Sequence, residues 1–103
     1  MELNIGEKKV GPGHPVFIAA EIGLNHNGDM DLAKKTIEAA ADAGACGVKF
    51  QNYKTEDFLT DDELTWEYEN NGKIVRETQR EMFKRCELSD QQVRELKSFC
   101  DDC

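Results

Sequence analysis

Three polar residues occupy matching positions at the ends of two apolar runs. Glu21 follows the apolar residues 16–20, and Lys49 and Gln51 end the second run. Lys49 and Gln51 are two residues apart, so in a strand both side chains point to one side of the sheet, with Phe50 on the other. An unpaired ammonium group among apolar neighbours is costly to bury, so Lys49 needs an anion beside it. We interpret these residues as a site in which Lys49 holds an anionic substrate group, Gln51 orients it through its amide, and Glu21 accepts hydrogen bonds from a hydroxylated partner.

A structural interpretation of the same residues is also open. Glu21 and Lys49 could form an ion pair that only stabilises the end of the sheet. The loop between them contains His26 among asparagines; it could act as a metal ligand or general base, or could hydrogen-bond within the loop. Gly28 is predicted to provide a left-handed turn.

The elements that position these residues are predicted from apolar patterning. Continuous apolarity over residues 16–20 is typical of a parallel strand buried on both faces, and residues 21–28 are expected to form a loop. Asp29 is a predicted N-cap, and the helix that follows should end at Gly44. Its predicted apolar face consists of Leu32, Ile37, Ala40 and Ala41. A second strand over residues 46–51 completes a βαβ unit with parallel strands.

The remaining segments are less regular in pattern. The first fifteen residues are expected to be a polar lead-in, and residues 52–72 a long loop. Its aromatic residues could cover a site or pack outside it, and they are Tyr53, Phe58, Trp66 and Tyr68. Helix is predicted from about Ile74 to Cys86. Ser89 and Gln92 form a predicted capping box for a final helix, and the apolar face of that helix comprises Val93, Leu96, Phe99 and Cys100.

Two βα units leave both edges of their sheet open. The pattern predicts an α/β fold, the N-terminal part of a doubly wound sheet or of a (β/α)8 barrel, which takes about 250 residues. A compact, self-sufficient α/β domain is the alternative.

Composition excludes several classes of protein. The 103 residues carry a formal net charge of −8, which argues against a nucleic-acid or anionic-membrane surface. No apolar run approaches the ~20 residues that span a bilayer, and the N-terminus lacks a signal-peptide core, so we expect a cytoplasmic protein. The four cysteines are then expected to be thiols. Cys100 and Cys103 form a C-x-x-C at the negative end of a predicted helix, a poor setting for a redox pair.

The motifs around the candidate site resemble the sialic acid synthase (N-acetylneuraminate synthase) family. The resemblance rests on FIAAEIGLNHNG at 17–28, AGA at 43–45 followed by VKFQ at 48–51, and EMFKRCELS at 81–89. These motifs do not discriminate among the sialic, legionaminic and pseudaminic acid synthases and the spore-coat polysaccharide proteins of that family.

The resemblance implies a (β/α)8 TIM barrel followed by a small antifreeze-protein-like (SAF) domain in a swapped homodimer. It implies condensation of phosphoenolpyruvate with an N-acylated amino sugar such as N-acetylmannosamine, with a divalent metal, Mn²⁺ or Mg²⁺, polarising the sugar aldehyde. Lys49 would pair with phosphoenolpyruvate, Gln51 would help to seat it, and Glu21 would face the amino sugar. Residues 1–103 would be the N-terminal portion of the barrel, without the rest of the barrel or the SAF domain. The metal-binding histidines of the family come later than these residues, so no metal ligand is expected in this chain, and the chain alone should be inactive.

Two other hypotheses keep the same residues. In the first, Lys49 is the Schiff-base lysine of a keto-acid aldolase barrel. In the second, the chain is a non-catalytic split-barrel fragment that folds only against a partner chain.

Overall fold

The fold was analysed in a computed structural model, which describes residues 1–58 and 65–103. The described elements follow one another along the chain in the order β1 (Leu3–Ile5), β2 (Lys8–Val10), β3 (Ala19–Gly23), α1 (Met30–Asp42), β4 (Gly47–Phe50), α2 (Thr55–Phe58), β5 (Thr65–Asn70), β6 (Lys73–Thr78), α3 (Gln79–Cys86) and α4 (Asp90–Asp101).

The predicted βαβ unit is present and positions the site. Strands β3 and β4 pair in parallel, with Ala19 opposite Gly47 and Glu21 opposite Lys49. Between them, α1 begins at the N-cap Asp29, whose carboxylate accepts the N–H groups of Asp31 and Leu32. After the helix, Gly44 adopts a φ of +93°, the left-handed conformation that was expected there.

The core lies between this unit and α4. Its buried residues are Ile22, Ala33, Ile37, Leu88 and Leu96. The Ser89 capping box opens α4 as predicted, and Val93, Phe99 and Cys100 pack against the core from the same helix. The predicted apolar face of α1 was partly wrong, because Ala33 is fully buried while Leu32 is 39% exposed. Ile37 is buried as predicted, whereas Ala33 takes the place expected of Leu32 and Ala41 is exposed.

The first strand of the βαβ unit also begins later in the chain than predicted. Strand β3 begins at Ala19 and includes Glu21 and Gly23, which were expected in a loop. The preceding Val16 and Ile18 are 79% and 55% exposed. Pairing sets this boundary, since the Cys46 and Gly47 N–H groups donate to the Ile18 carbonyl and the ladder with β4 starts just after it.

Two antiparallel hairpins form where no strands were expected. The N-terminal lead-in contains the β1–β2 hairpin, in which Leu3 pairs with Val10. Strands β5 and β6 pair from Thr65 opposite Thr78 to Asn70 opposite Lys73.

The β5–β6 turn explains why the helix prediction failed at Ile74. Asn71 and Gly72 join the strands with φ values of +53° and +78°, the conformation that favours Asn-Gly in two-residue hairpin loops. The helix starts only at Gln79, after Thr78 caps it by accepting the Glu81 N–H. Among the described residues, no helix is both long and apolar enough to cross a membrane.

Candidate functional site

The structure brings Glu21 and Lys49 together. They are register partners across β3 and β4, and Lys49 Nζ lies 3.0 Å from Glu21 Oε2. Their side chains are 53% and 67% exposed. The two charges therefore form an ion pair on an open surface, not inside the core.

Gln51 shares that surface through Gly23. A Cβ placed on Gly23 would lie 3.1 Å from Glu21 Oε1 and 3.7 Å from Gln51 Nε2. The ladder shifts register between Glu21 and Gly23, which leaves the intervening Ile22 without a register partner. Ile22 is buried at 2% exposure, on the face opposite Glu21, as strand alternation requires. Gly23 has a φ of +57° and no side chain. The Glu21 and Gln51 side chains therefore lie close to its backbone.

A shallow depression continues from the site toward α3. It is lined by Lys49, Phe50, Gln51, Asn52, Tyr53 and Phe83. The Tyr53 hydroxyl donates to the Phe83 carbonyl over 2.6 Å, and the two rings meet edge to face at 5.6 Å. Burial raises the pKa of Tyr53 to about 12, so its phenol stays neutral. The contacts with Phe83 hold the Tyr53 ring on one side of the depression.

Another aromatic residue of the predicted loop lies elsewhere in the described structure. Tyr68 lies on the β5–β6 hairpin, where its hydroxyl donates to Glu77 Oε1 over 2.6 Å. The predicted roles of the Phe58 and Trp66 side chains lie outside the described residues.

His26 lies inside the molecule and hydrogen-bonds within its loop. It is fully buried, and its Nδ1 accepts the Gly28 N–H over 2.9 Å. Burial lowers the pKa of His26, while the Gly23 carbonyl acts in the opposite direction. The ring packs against Phe50 with centroids 5.8 Å apart. The loop-bonding interpretation of His26 therefore describes what this residue does in the structure.

Arg85 makes a network that the sequence did not indicate. It donates to Glu77 Oε1 over 2.6 Å and to Asn27 Oδ1 over 3.2 Å. The Tyr68 hydroxyl and then Arg85 lower the pKa of Glu77. The network joins the β5–β6 hairpin to the loop between β3 and α1. Arg85 and Asn27 are 58 positions apart in the chain, so no local pattern could have paired them.

The cysteines and the acidic residues give no further site in the described part of the chain. All four cysteines are free thiols, and burial raises the pKa of Cys100, which disfavours its thiolate. Among residues 1–58 and 65–103, no group of three or more His, Cys, Asp or Glu side chains could hold a metal ion.

Comparison with known proteins assigns the chain to a family. Residues 36–103 match the NeuB family. The chain belongs to this family. Over 97% of its length it is 41% identical to the uncharacterized protein MJ1065 of Methanocaldococcus jannaschii. Over 84% of its length it is 42% identical to the N,N'-diacetyllegionaminic acid synthase of Legionella pneumophila. It spans 26% and 24% of these two NeuB relatives.

A solved structure gives the architecture. The crystal structure of the N-acetylneuraminic acid (sialic acid) synthetase from Leptospira borgpetersenii, in complex with citrate, matches 99% of this chain. The TM-score is 0.75 at 32% identity, and the match covers 31% of that synthetase chain. The chain is thus the first two βα units of a (β/α)8 barrel. In such barrels the carboxyl ends of the strands carry the active site, and Glu21, Lys49 and Gln51 lie at that end of β3 and β4.

Proposed function

We propose that this chain is the N-terminal part of the barrel of a synthase that condenses phosphoenolpyruvate with an N-acylated amino sugar, N-acetylmannosamine or a similar one. The products are a nonulosonic acid and phosphate. The observation that carries the proposal is the group formed by Glu21, Lys49 and Gln51 at the carboxyl ends of two barrel strands in a NeuB family member.

Lys49 is proposed to bind the phosphoenolpyruvate anion. A partly exposed ammonium group can form charge-assisted hydrogen bonds to a carboxylate or phosphate oxygen. The pairing with Glu21 at 3.0 Å holds the Lys49 side chain in place before substrate arrives. The net charge of −8 does not oppose this role, because local charge decides binding more than the total does.

Glu21 and Gln51 are proposed to orient the two reactants. The Gln51 amide lies beside Gly23, where it can donate to the same anion that Lys49 holds. Glu21 Oε1 also lies close to Gly23. From there it can accept hydrogen bonds from hydroxyl groups of the amino sugar. Held in this way, C3 of phosphoenolpyruvate bonds to the aldehyde carbon, water adds at C2, and the C–O bond to phosphate breaks.

A divalent metal, Mn²⁺ or Mg²⁺, is proposed for the full-length protein, where it would polarise the sugar aldehyde. The described residues offer no ligand cluster for it, so its ligands are proposed to come from another part of the barrel. We further propose that the full-length protein is a cytoplasmic homodimer.

The aldolase hypothesis meets a specific difficulty. A Schiff-base lysine is activated by desolvation in an apolar pocket or by a neighbouring cation, whereas the charged neighbour of Lys49 is the Glu21 carboxylate at 3.0 Å. Borohydride treatment with a keto acid would trap an adduct on Lys49 if the aldolase hypothesis held, and we expect none.

The synthase proposal is tested with the full-length protein that contains this segment. Purified protein is mixed with Mn²⁺, phosphoenolpyruvate and a panel of N-acylated hexosamines, and phosphate and nonulosonic acid are measured. We expect phosphate release that requires both substrates. Release from phosphoenolpyruvate alone, or none with any sugar, would contradict the proposal.

A further inference from the structure

The loop between β3 and α1 is stabilised by hydrogen bonds between its own polar groups. Asn25 donates to the Ile22 carbonyl from both its backbone N–H and its side-chain amide. Asp29 donates its backbone N–H to the His26 carbonyl over 2.9 Å. The loop therefore has a fixed shape before any ligand binds.

The outer side of the loop is blocked by α3. Gly28 has a φ of +80°, and a Cβ there would collide with the carbonyl oxygen of Arg85. The Arg85 side chain also donates to Asn27 over 3.2 Å. The backbone and the side chain of Arg85 both contact the loop, so these contacts restrict the loop on the side that faces α3.

The inner side of the loop is filled by His26. Because Nδ1 accepts the Gly28 N–H over 2.9 Å, the neutral ring carries its proton on Nε2. Nε2 is fully buried and makes no hydrogen bond of standard geometry within the described residues. The His26 ring packs against Phe50, which is the register partner of Gly23. Buried polar atoms without a well-formed partner are rare and call for a reason.

That reason is found on the other side of Gly23. The Glu21 carboxylate and the Gln51 amide lie against the position where a Gly23 side chain would be. Through Phe50, which pairs with Gly23 and directly precedes Gln51, His26 supports the backbone that carries both side chains. A small shift of Gly23 would therefore change the positions of both side chains.

We propose that His26 is a positioning residue, which supports the Gly23 backbone from beneath and so fixes where Glu21 and Gln51 meet the reactants. The inference rests on the proposed function, and it adds a role to a residue that does not itself contact substrate. Misplacement of reacting groups by about 1 Å can cost on the order of a hundredfold in rate.

Two substitutions separate the two ring nitrogens. His26→Asn keeps an acceptor near Nδ1 for the Gly28 N–H but removes the group that faces Gly23. His26→Gln keeps an N–H near Nε2 but removes the acceptor for Gly28. His14→Asn is the matched control, because His14 is a partly exposed histidine that pairs with Glu2.

The experiment measures kcat and both KM values of the full-length protein, with rates normalised to folded protein. For His26→Asn we expect kcat to fall by about 10- to 100-fold, with the KM for phosphoenolpyruvate rising by a smaller factor because Gln51 makes only one of the proposed contacts to that anion. His26→Gln should recover at least about a fifth of the lost rate, and His14→Asn should match the wild type. A merely structural role would lower the folded fraction and leave the normalised kcat unchanged.

A third variant covers the case in which His26→Asn does not fold. Phe50→Leu keeps His26 and Gly23 but removes the ring against which His26 packs, and we expect a loss of kcat in the same direction. A normal kcat in the folded His26→Asn protein, or in folded Phe50→Leu when His26→Asn fails to fold, would overturn the inference alone. A wild-type protein without synthase activity would overturn the proposed function and, with it, this inference.

Discussion

At the scale of single residues, we propose a functional rather than a structural role for the Glu21–Lys49 pair. In this segment both side chains are more than half exposed, and exposed ion pairs contribute about 0 to 1 kcal/mol. Such a pair adds little to the stability of the segment, so a structural role there does not account for it. Its position at the carboxyl ends of β3 and β4 does account for it, because that is where a barrel binds ligands.

Glu21→Gln separates these two roles. In the full-length protein we expect the free energy of unfolding to fall by less than about 1 kcal/mol, while the KM for the amino sugar rises about tenfold. The reason is that an amide accepts hydroxyl hydrogen bonds less strongly than a carboxylate. Glu38→Gln, at an exposed position of α1, is the control. A large loss of stability with unchanged kinetics would favour the structural role.

His26 predicts a pH dependence of stability. Burial lowers the pKa of His26 below its usual 6.5, so the unfolded chain takes up a proton at a higher pH than the folded one. The stabilisation is complete above the unfolded pKa and is lost as the pH falls through the folded pKa. We therefore expect the wild type to lose more stability than His26→Asn between about pH 7.5 and about pH 5.5.

Urea denaturation of the two full-length proteins at both pH values checks this expectation, with His14→Asn as the control. Equal losses in wild type and His26→Asn would show that His26 does not titrate as its burial requires.

At the scale of elements, the sequence predicted what local chemistry determines. The Asp29 cap, the Gly44 stop and the Ser89 capping box are all present, since each depends on residues a few positions apart. The pairing of Glu21 with Lys49 was also anticipated, because strand order fixes it once the βαβ unit is recognised. The location of Gly23 between Glu21 and Gln51 was not, since it depends on a register shift that no pattern shows.

The β5–β6 hairpin was missed although its signal was present. Asn71-Gly72 is a strong hairpin signal, but the flanking strands lack clear apolar alternation, and Tyr68 and Arg76 make cross-strand polar contacts instead. Its attachment through Arg85 depends on contacts between distant segments. Such contacts become visible only in three dimensions.

Gly28 and Gly44 test the tight contact with α3. Both have positive φ values, +80° and +93°, but only Gly28 has backbone within reach of an added Cβ. Gly44→Ala should cost about 1 to 2 kcal/mol for the left-handed conformation alone. Gly28→Ala should cost clearly more, because the Arg85 carbonyl must move. Urea denaturation measures both, and equal costs would mean that Gly28 and Arg85 are not in close contact.

Ser89 tests the cap of α4. Its hydroxyl accepts the Gln92 N–H over 3.1 Å, while the Gln92 side chain accepts the Ser89 N–H over 2.8 Å. Ser89→Ala should lower the free energy of unfolding by about 1 kcal/mol. Ser98→Ala makes the same chemical change at an exposed position inside the helix and should have no cost. A loss of similar size in both variants would argue against the cap.

At the scale of the whole molecule, the chain is part of a larger barrel. Within the described residues the β3–β4 sheet has two strands, and the chain spans 26% and 24% of two of its relatives. We expect the isolated 103-residue chain to release no phosphate from the two substrates with Mn²⁺. Activity of this chain alone would show that the site is complete without the rest of the barrel.

The central claim is that Lys49 binds the phosphoenolpyruvate anion. Steady-state kinetics of Lys49→Met in the full-length protein test this claim most directly. Lys97→Met is the control, since Lys97 is an exposed lysine that also pairs with a carboxylate, that of Asp101. The account predicts that Lys49→Met raises the KM for phosphoenolpyruvate at least about tenfold, while the KM for the amino sugar changes little and Lys97→Met behaves as wild type. An unchanged KM for phosphoenolpyruvate in Lys49→Met would contradict it.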